Sequence, residues 1–351
     1  MAAELLNTLF VMTQGAYVHL DGETVKVELK GETLKQTPLH HLGSIVVFGL
    51  VSVSPWLMHK CAEDGRAVSF MDVNGRYLAR VEGATSGNVL LRKAQWEASG
   101  APAAAAEIAR RIVAGKLQNS RSVVLRALRD LNDSGASEAR QAGKAALEQA
   151  ARELAARIQA LPQAGSMDAI RGEEGHGAQA YFEAFDAMIT AQRTDFRFDS
   201  RSRRPPRDRV NALLSFLYAV LANDCRAALE GVGLDPQVGF LHALRPGRPA
   251  LALDLMEEFR APVADRLALT LINRRQVGAD DFRVRPGESV LLTEDGRKKV
   301  IVAYQTRKQT EVAHPLLKTK TPLGLVLHLQ ARLLARCLRG DIPAYTPYIP
   351  R

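Results

Sequence analysis

Asp254, Glu257 and Glu258 stand at i, i+3 and i+4, so on a helix all three carboxylates project from one face. A lone His242 precedes them, and Arg245 and Arg248 occupy a Pro- and Gly-rich turn in between. Acid and imidazole held beside guanidinium groups is chemistry suited to a hard divalent metal, to a phosphate, or to both. Leu251, Leu253, Leu255 and Met256 would tie such a helix to a core. A solvated acidic face with a structural histidine fits the same residues, and the stretch from Gly239 to Arg260 leaves both readings open.

Two further stretches carry chemistry. In Met167 to Phe185, Glu174, Ala178, Tyr181 and Phe185 share a helical face, so one carboxylate lies in line with core residues. Gly172, Gly175 and Gly177 are costly in a helix, each by about 1 kcal/mol against Ala. They mark either a loose helix start or the close approach of another backbone or a ligand. In Arg193 to Arg209, RTDFRFDSRSRRPPRDR, the arginines 193, 197, 201, 203, 204, 207 and 209 crowd one loop with Phe196 and Phe198. Guanidinium forks suit phosphate oxygens, and the two rings could stack on bases or anchor the loop.

The elements that must position these groups divide the chain in two. Up to about residue 83 the texture is β. Val25, Val27 and Leu29 alternate with Lys26, Glu28 and Lys30 after the turn pair Asp21-Gly22, and Asn74-Gly75 marks a second hairpin. Ser44 to Val53 reads as a central strand, and Pro55 opens a short helix. From about residue 88 the period becomes helical: an Ala-rich helix over 101–116, others over 121–131 and 138–161, and an apolar stripe at Val210, Leu213, Leu214, Leu217 and Leu221. Ser289 to Val302 reads as a small hairpin around Glu294-Asp295-Gly296. The expected class is α+β: an N-terminal, mainly antiparallel, sandwich-like β domain (1–85), then a larger all-α domain (86–351) carrying the site.

The chain has 351 residues, with 47 Lys+Arg against 38 Asp+Glu, a formal charge of +9 that favours a polyanionic partner. No run of about 18 apolar residues and no secretory-signal pattern occurs, so neither a membrane span nor export is expected. The three scattered cysteines, without a CxxC, fit buried thiols in a reducing cytoplasm. HExxH and P-loop patterns are absent, and Gly231-Val-Gly233 lacks the third glycine of a dinucleotide fingerprint.

RGEEGHGAQAYFEAF, RSRRPPRDRVNALLSFLYAVL and GLDPQVGFLHALRPGRPALALDLMEEFR, together with NVLLRKAQW and GKLQNSR earlier in the chain, closely resemble the CRISPR-associated integrase and endonuclease family, Cas-one. The resemblance runs across most of the chain in order, and within the family it is to the I-C branch. It implies a catalytic metal site of three ligands. Glu174 matches the acid of the R-G-x-E-G motif, His242 the histidine of G-F-x-H, and Glu257 the second acid of D-x-x-[DE]. Asp254 and the neighbouring Glu258 are supporting or alternative ligands. Asn211 and Tyr218 match the N-A-L-L-S-x-x-Y element and would line the site.

The implied ion is Mg2+ or Mn2+, and the implied reaction is attack of a DNA 3′-hydroxyl on a phosphodiester, which inserts short spacers into a CRISPR array. Arg193, Arg197, Arg201, Arg203, Arg204, Arg207, Arg245 and Arg248 would bind DNA. The implied partners are double-stranded DNA (prespacer and array), the small protein Cas-two and a second copy of the chain, in a cytoplasmic complex. The competing class is a DNA-binding scaffold of the same complex without catalysis.

Overall fold

The computed structural model describes residues 7–83, 89–132, 138–203, 205–285, 289–316 and 320–350. The β part contains β1 (Asn7–Val11), β2 (Tyr17–Asp21), β3 (Thr24–Leu29), β4 (Glu32–Pro38), β5 (Leu42–Phe48), β6 (Ser52–Val53), α1 (Pro55–Glu63), β7 (Ala67–Met71) and β8 (Tyr77–Val81). It forms two four-stranded sheets, ordered β1-β5-β7-β8 and β4-β3-β2-β6. The expected hairpins occur, β2 with β3 and β7 with β8. The expectation of a mainly antiparallel part needs correction, because β1–β5, β5–β7 and β2–β6 pair in parallel. The helix α1 explains one of these pairings. It starts on Ser54, whose hydroxyl accepts from Leu57 N at 3.2 Å, and it carries the chain back from β5 to a parallel β7.

Strand β5 shows why the β part is not a free-standing sandwich. Ile45 and Val47 face one side and close a small core with Val18, Val25, Val27, Leu57 and Val68. Val46 and Phe48 alternate to the other side and enter the core of the helical part, where Phe48 lies 6.2 Å from Phe216. The strand β4 escapes sequence reading because its residues are exposed or half-buried. It is held by its backbone ladder to β3 and shows no apolar alternation. The expected domain boundary falls among residues 84–88, and Asn88 of the NVLLRKAQW motif with it, outside the described residues.

The helical part begins with α2 (Val89–Gly100), α3 (Pro102–Asn132), α4 (Glu138–Ala160), α5 (Met167–Glu183) and α6 (Arg209–Glu230). It continues through α7 (Ala250–Phe259), a π-helical turn over Arg260–Asp265, α8 (Arg266–Asn273), β9 (Phe282–Arg285) and β10 (Ser289–Leu292). Last come α9 (Glu294–Gln309), β11 (Glu311–Ala313), β12 (Lys320–Pro322) and α10 (Leu323–Leu338). The segments expected as separate helices over 101–116 and 121–131 are one helix of 31 residues, α3. The expected hairpin over 289–302 is corrected: β10 pairs backwards with β9, and Thr293 then caps α9 by accepting from Gly296 N at 3.1 Å. Glu294 and Asp295 fill the first turn of that helix, where its dipole favours them. Two small ladders therefore interrupt the part expected to be all-α. Among the described residues, only the helix Arg209–Gly231 has the length and hydropathy to cross a membrane, and 67% of its apolar window is buried inside the protein.

Candidate active site

The carboxylate face of α7 is not solvated. Asp254, Glu257 and Glu258 are 0%, 2% and 0% exposed, so each must be matched inside the protein. Asp254 is matched by the loop before the helix. Its carboxylate accepts from the backbone N–H groups of Phe240 (2.6 Å), Leu241 (3.0 Å) and His242 (3.0 Å), and it lies 2.6 Å from His242 Nδ1. Gly239 permits this wrap, because a Cβ there would come 2.7 Å from Ala250 C and 2.8 Å from Asp254 Oδ2. From α5, Arg171 donates through Nε and Nη2 to Leu241 O at 3.0 and 2.8 Å and fixes the loop from its other side. With Nδ1 donating to Asp254, the free lone pair of His242 sits on Nε2, which faces Glu257 Oε1 at 3.9 Å.

Glu257 is surrounded by positive charge. Arg260 Nη2 lies 3.2 Å from its Oε1, and Lys116 Nζ, from α3, lies 2.8 Å from its Oε2. The contact with Lys116 is ionic, and by geometry this buried oxygen has no hydrogen-bond partner. Burial works against the ionised form, but the positive charges of Arg260 and Lys116 outweigh it and hold the Glu257 carboxyl down at about 2. Lys116 also donates to Glu174 Oε1 on α5, so a single ammonium joins the two carboxylates. Helix α5 lies close enough to α3 for this because Gly177 faces it. A Cβ there would come 2.2 Å from Leu117 Cδ2, whereas at Gly172 and Gly175 it would meet nothing within 4 Å.

Three stretches distant in sequence thus deliver Glu174, His242 and Glu257 to one place. Two carboxylates and an imidazole are a donor set that suits a hard divalent ion, and the Asp254–His242 pair is a usual support for a ligating histidine. As they stand, the three do not close into a ligand shell. Among the described residues, no three His, Cys, Asp or Glu side chains lie close enough to hold a metal. Lys116 stands between the two carboxylates instead.

The remaining candidates have other surroundings. Glu258 faces away from the site, where its oxygens accept from Tyr345 Oη, Tyr348 N (2.7 Å) and Gln330 Nε2 (3.1 Å). Burial pushes its carboxyl up to about 7 despite those bonds. Tyr218 donates to Asp265 Oδ1 at 2.6 Å, and its ring lies under the guanidiniums of Arg260 (4.9 Å) and Arg201 (5.3 Å). Asn211 is fully buried and holds the arginine loop. Its Oδ1 accepts from Arg201 Nη1 (2.6 Å) and Ser202 N (3.0 Å), and its Nδ2 donates to Ser200 O (2.8 Å).

The profile of the family described as CRISPR associated protein Cas1 matches residues 9–306. The chain belongs to the Cas1 family. It is 55% identical over 347 residues to CRISPR-associated endonuclease Cas1 1 of Moorella thermoacetica, covering 99% of each chain. A casposase bound to integration product has a similar fold, with TM-score 0.81 and 23% identity over 97% of this chain and 92% of that one. So does a Cas6-RT-Cas1–Cas2 complex, with TM-score 0.80 and 23% identity over 98% of this chain and 36% of the other.

In this Cas1 family member the arginine loop is partly a scaffold. Arg193 is tied to Asp186 and to Ile189 O (2.8 Å), Arg201 to Asn211, and Arg209 to Asp195 O (3.0 Å). Phe196 and Phe198 are buried at 0% and 3%, so they anchor the loop and are not free to stack on bases. Arg197, Arg203, Arg207 and Arg245 are exposed, and Arg248 is half-buried. Arg204 lies outside the described residues. Sequence reading assigned no role to Lys116, Arg260, Arg171 or Asp265. Lys116 lies within the quoted GKLQNSR motif, and Arg260 follows Glu257 at i+3, a spacing that places them side by side on a helix.

Proposed function

We propose that this chain is a divalent-metal-dependent DNA integrase and endonuclease that inserts short foreign DNA fragments into a CRISPR array. The observation that carries the reading is the convergence of Glu174, His242 and Glu257, with the imidazole presented through Nε2 by the buried Asp254. These three would hold Mg2+ or Mn2+. When bound, such an ion supplies positive charge at the phosphoryl oxygen and favours ionisation of the attacking hydroxyl.

The chain's own groups prepare the site. Asp254 and Arg171 fix the histidine loop, and Arg260 and Lys116 keep Glu257 ionised. Arg245, Arg248 and the exposed Arg197, Arg203 and Arg207 contact phosphates. In the reaction a DNA 3′-oxygen forms a bond to phosphorus while the existing bond from phosphorus to another 3′-oxygen breaks. The proton lost by the attacking hydroxyl is balanced by the one gained on the displaced oxygen. Water in place of the DNA hydroxyl gives hydrolysis, the nuclease reaction. Joining both ends of one fragment takes two sites, which favours a homodimer assembled with Cas2. The net charge of +9 supports a steep fall of DNA binding with salt.

The test is strand transfer by the wild type, Glu174→Ala and His242→Ala, with Mn2+ and with EDTA. Each substitution and the chelator are expected to reduce product by at least about 100-fold, the scale of losing a main catalytic group. Strand transfer unchanged in His242→Ala would sink the metal-site reading. DNA binding that persists with no transfer by the wild type would favour the non-catalytic scaffold.

A further inference from the structure

A second concentration of positive charge lies away from the carboxylates, where α3, α8, α9 and the turn over residues 187–190 meet. Arg126, Arg266, Arg274 and Arg307 line a cavity of about 400 Å³ there, with Thr190, Thr270 and Asn273 on its walls and Asp130 as its one carboxylate. A groove of about 800 Å³ between α8 and α9 shares Thr270, Arg274 and Arg307 with it and opens past Lys298 and Lys299. Those two lysines are already paired, with Glu294 at 2.9 Å and Asp281 at 2.8 Å.

Among the described residues, none of the four arginines has a carboxylate oxygen within 4.0 Å. Arg307 Nη2 donates to Pro262 O at 3.1 Å, while its Nε is buried without a hydrogen-bond partner. Burial and then the like charges of Arg307 and Arg126 push Arg266 down to about 10, so the guanidiniums repel one another as they stand. Asn273 keeps the wall in place by accepting from Thr190 N at 2.8 Å and donating to Met188 O at 2.9 Å. A preformed, half-enclosed group of guanidiniums with one carboxylate among them is matched by an anion with several oxygens.

We propose that Arg126, Arg266, Arg274 and Arg307 form a phosphate pocket that grips the DNA backbone away from the reacting phosphodiester. The inference rests on the integrase reading for its choice of ligand. Lys116 and Arg126 lie ten residues apart on the same helix, which is ~15 Å of rise. A duplex strand spans that distance in about four to five phosphates. The pocket therefore fixes how the substrate lies beyond the reacting bond and contributes no chemistry.

The experiment measures affinity of the full chain for a double-stranded DNA across a salt series, for the wild type, Arg126→Ala, the Arg126→Ala/Arg266→Ala double variant and the corresponding Lys variants. Loss of one phosphate contact lowers the slope of log affinity against log salt by about 1. The double variant is expected to lose about that much or more and to need more DNA for half-maximal strand transfer, and the Lys variants to recover part of the slope. Arg126 is exposed, so the single variant keeps the test sharp if the double variant fails to fold. A folded variant with the full wild-type slope overturns the pocket while leaving the integrase reading intact. Wild-type protein that binds no DNA overturns both. Stabilisation of the wild type by inorganic phosphate, lost in a variant whose DNA slope is unchanged, overturns the DNA assignment in favour of a small free anion.

Discussion

Asp265 links the helix of the candidate site to α5 and α6 and sets a pH dependence of its own. It is 1% exposed, with Tyr218 Oη at 2.6 Å and Tyr181 Oη at 3.0 Å, and Arg260 and Arg201 nearby. Burial outweighs these groups and raises its carboxyl to about 6. The folded state therefore holds the proton more tightly than the unfolded chain. The stability it contributes is complete below about 4, the ordinary carboxyl range, and is lost as pH rises through about 6. Asp265→Asn keeps the shape and removes the titration, so its stability relative to wild type should rise between pH 4.5 and 7.5 in denaturant unfolding. An offset equal at both pH values would contradict the shift. None of this was legible in the sequence, because Asp265 follows a proline in an apolar run and its two tyrosines come from other helices. Glu174 and His242 stood out as candidates because each stands inside a distinctive motif.

Helix α7 runs into Pro262, which has no N–H for the carbonyl four residues back and crowds it. The backbone answers with the π-helical turn over Arg260–Asp265, a form often found at functional sites. The freed carbonyl, Glu258 O, accepts instead from Asn119 Nδ2 at 2.8 Å, and the same amide group donates to Tyr348 O at 2.8 Å. Asn119 is 1% exposed and so pins α3, α7 and the C-terminal tail to one another. Asn119→Ala would strand two buried carbonyls and should destabilise the fold by about 2–6 kcal/mol, at roughly 1–3 for each unsatisfied group. A loss below about 1 kcal/mol in equilibrium unfolding would show that the tail is not held this way. The tail packs Tyr345 and Tyr348 at 1% exposure. Its aromatic residues have no period to announce burial, since what buries them is a network built by α3, α7 and α10. The misread hairpin after Ser289 has a similar cause: Thr-Glu-Asp-Gly serves equally as a turn or as a helix start, and only pairing with β9 decides.

At the scale of the whole molecule, the change from a period of two to a helical period made the α+β class readable. What joins the two parts was not readable. Phe48 and Phe216, Tyr77 under Arg226 at 3.6 Å, and the Arg80–Glu230 pair are single contacts between elements far apart in sequence. The same holds at the candidate site, where Lys116 stands in the GKLQNSR motif but meets Glu174 and Glu257 only through the packing of α3 against α5 and α7. That lysine has a consequence for how the protein lives without an ion. In small zinc domains the ligands repel one another until metal arrives, and removing the metal unfolds them. Here the acidic pair carries a built-in counter-charge, so, with the ion that the proposed function requires, folding and metal loading would be separate events. Chelation should silence strand transfer while leaving the melting temperature within about 2 °C, which for a chain of this size is roughly 1.5 kcal/mol. A large fall in melting temperature on adding EDTA would mean that Lys116 does not take this part. If the expectation holds, the chain can be made, assembled and stored in inactive form, with the supply of divalent ion deciding when it acts.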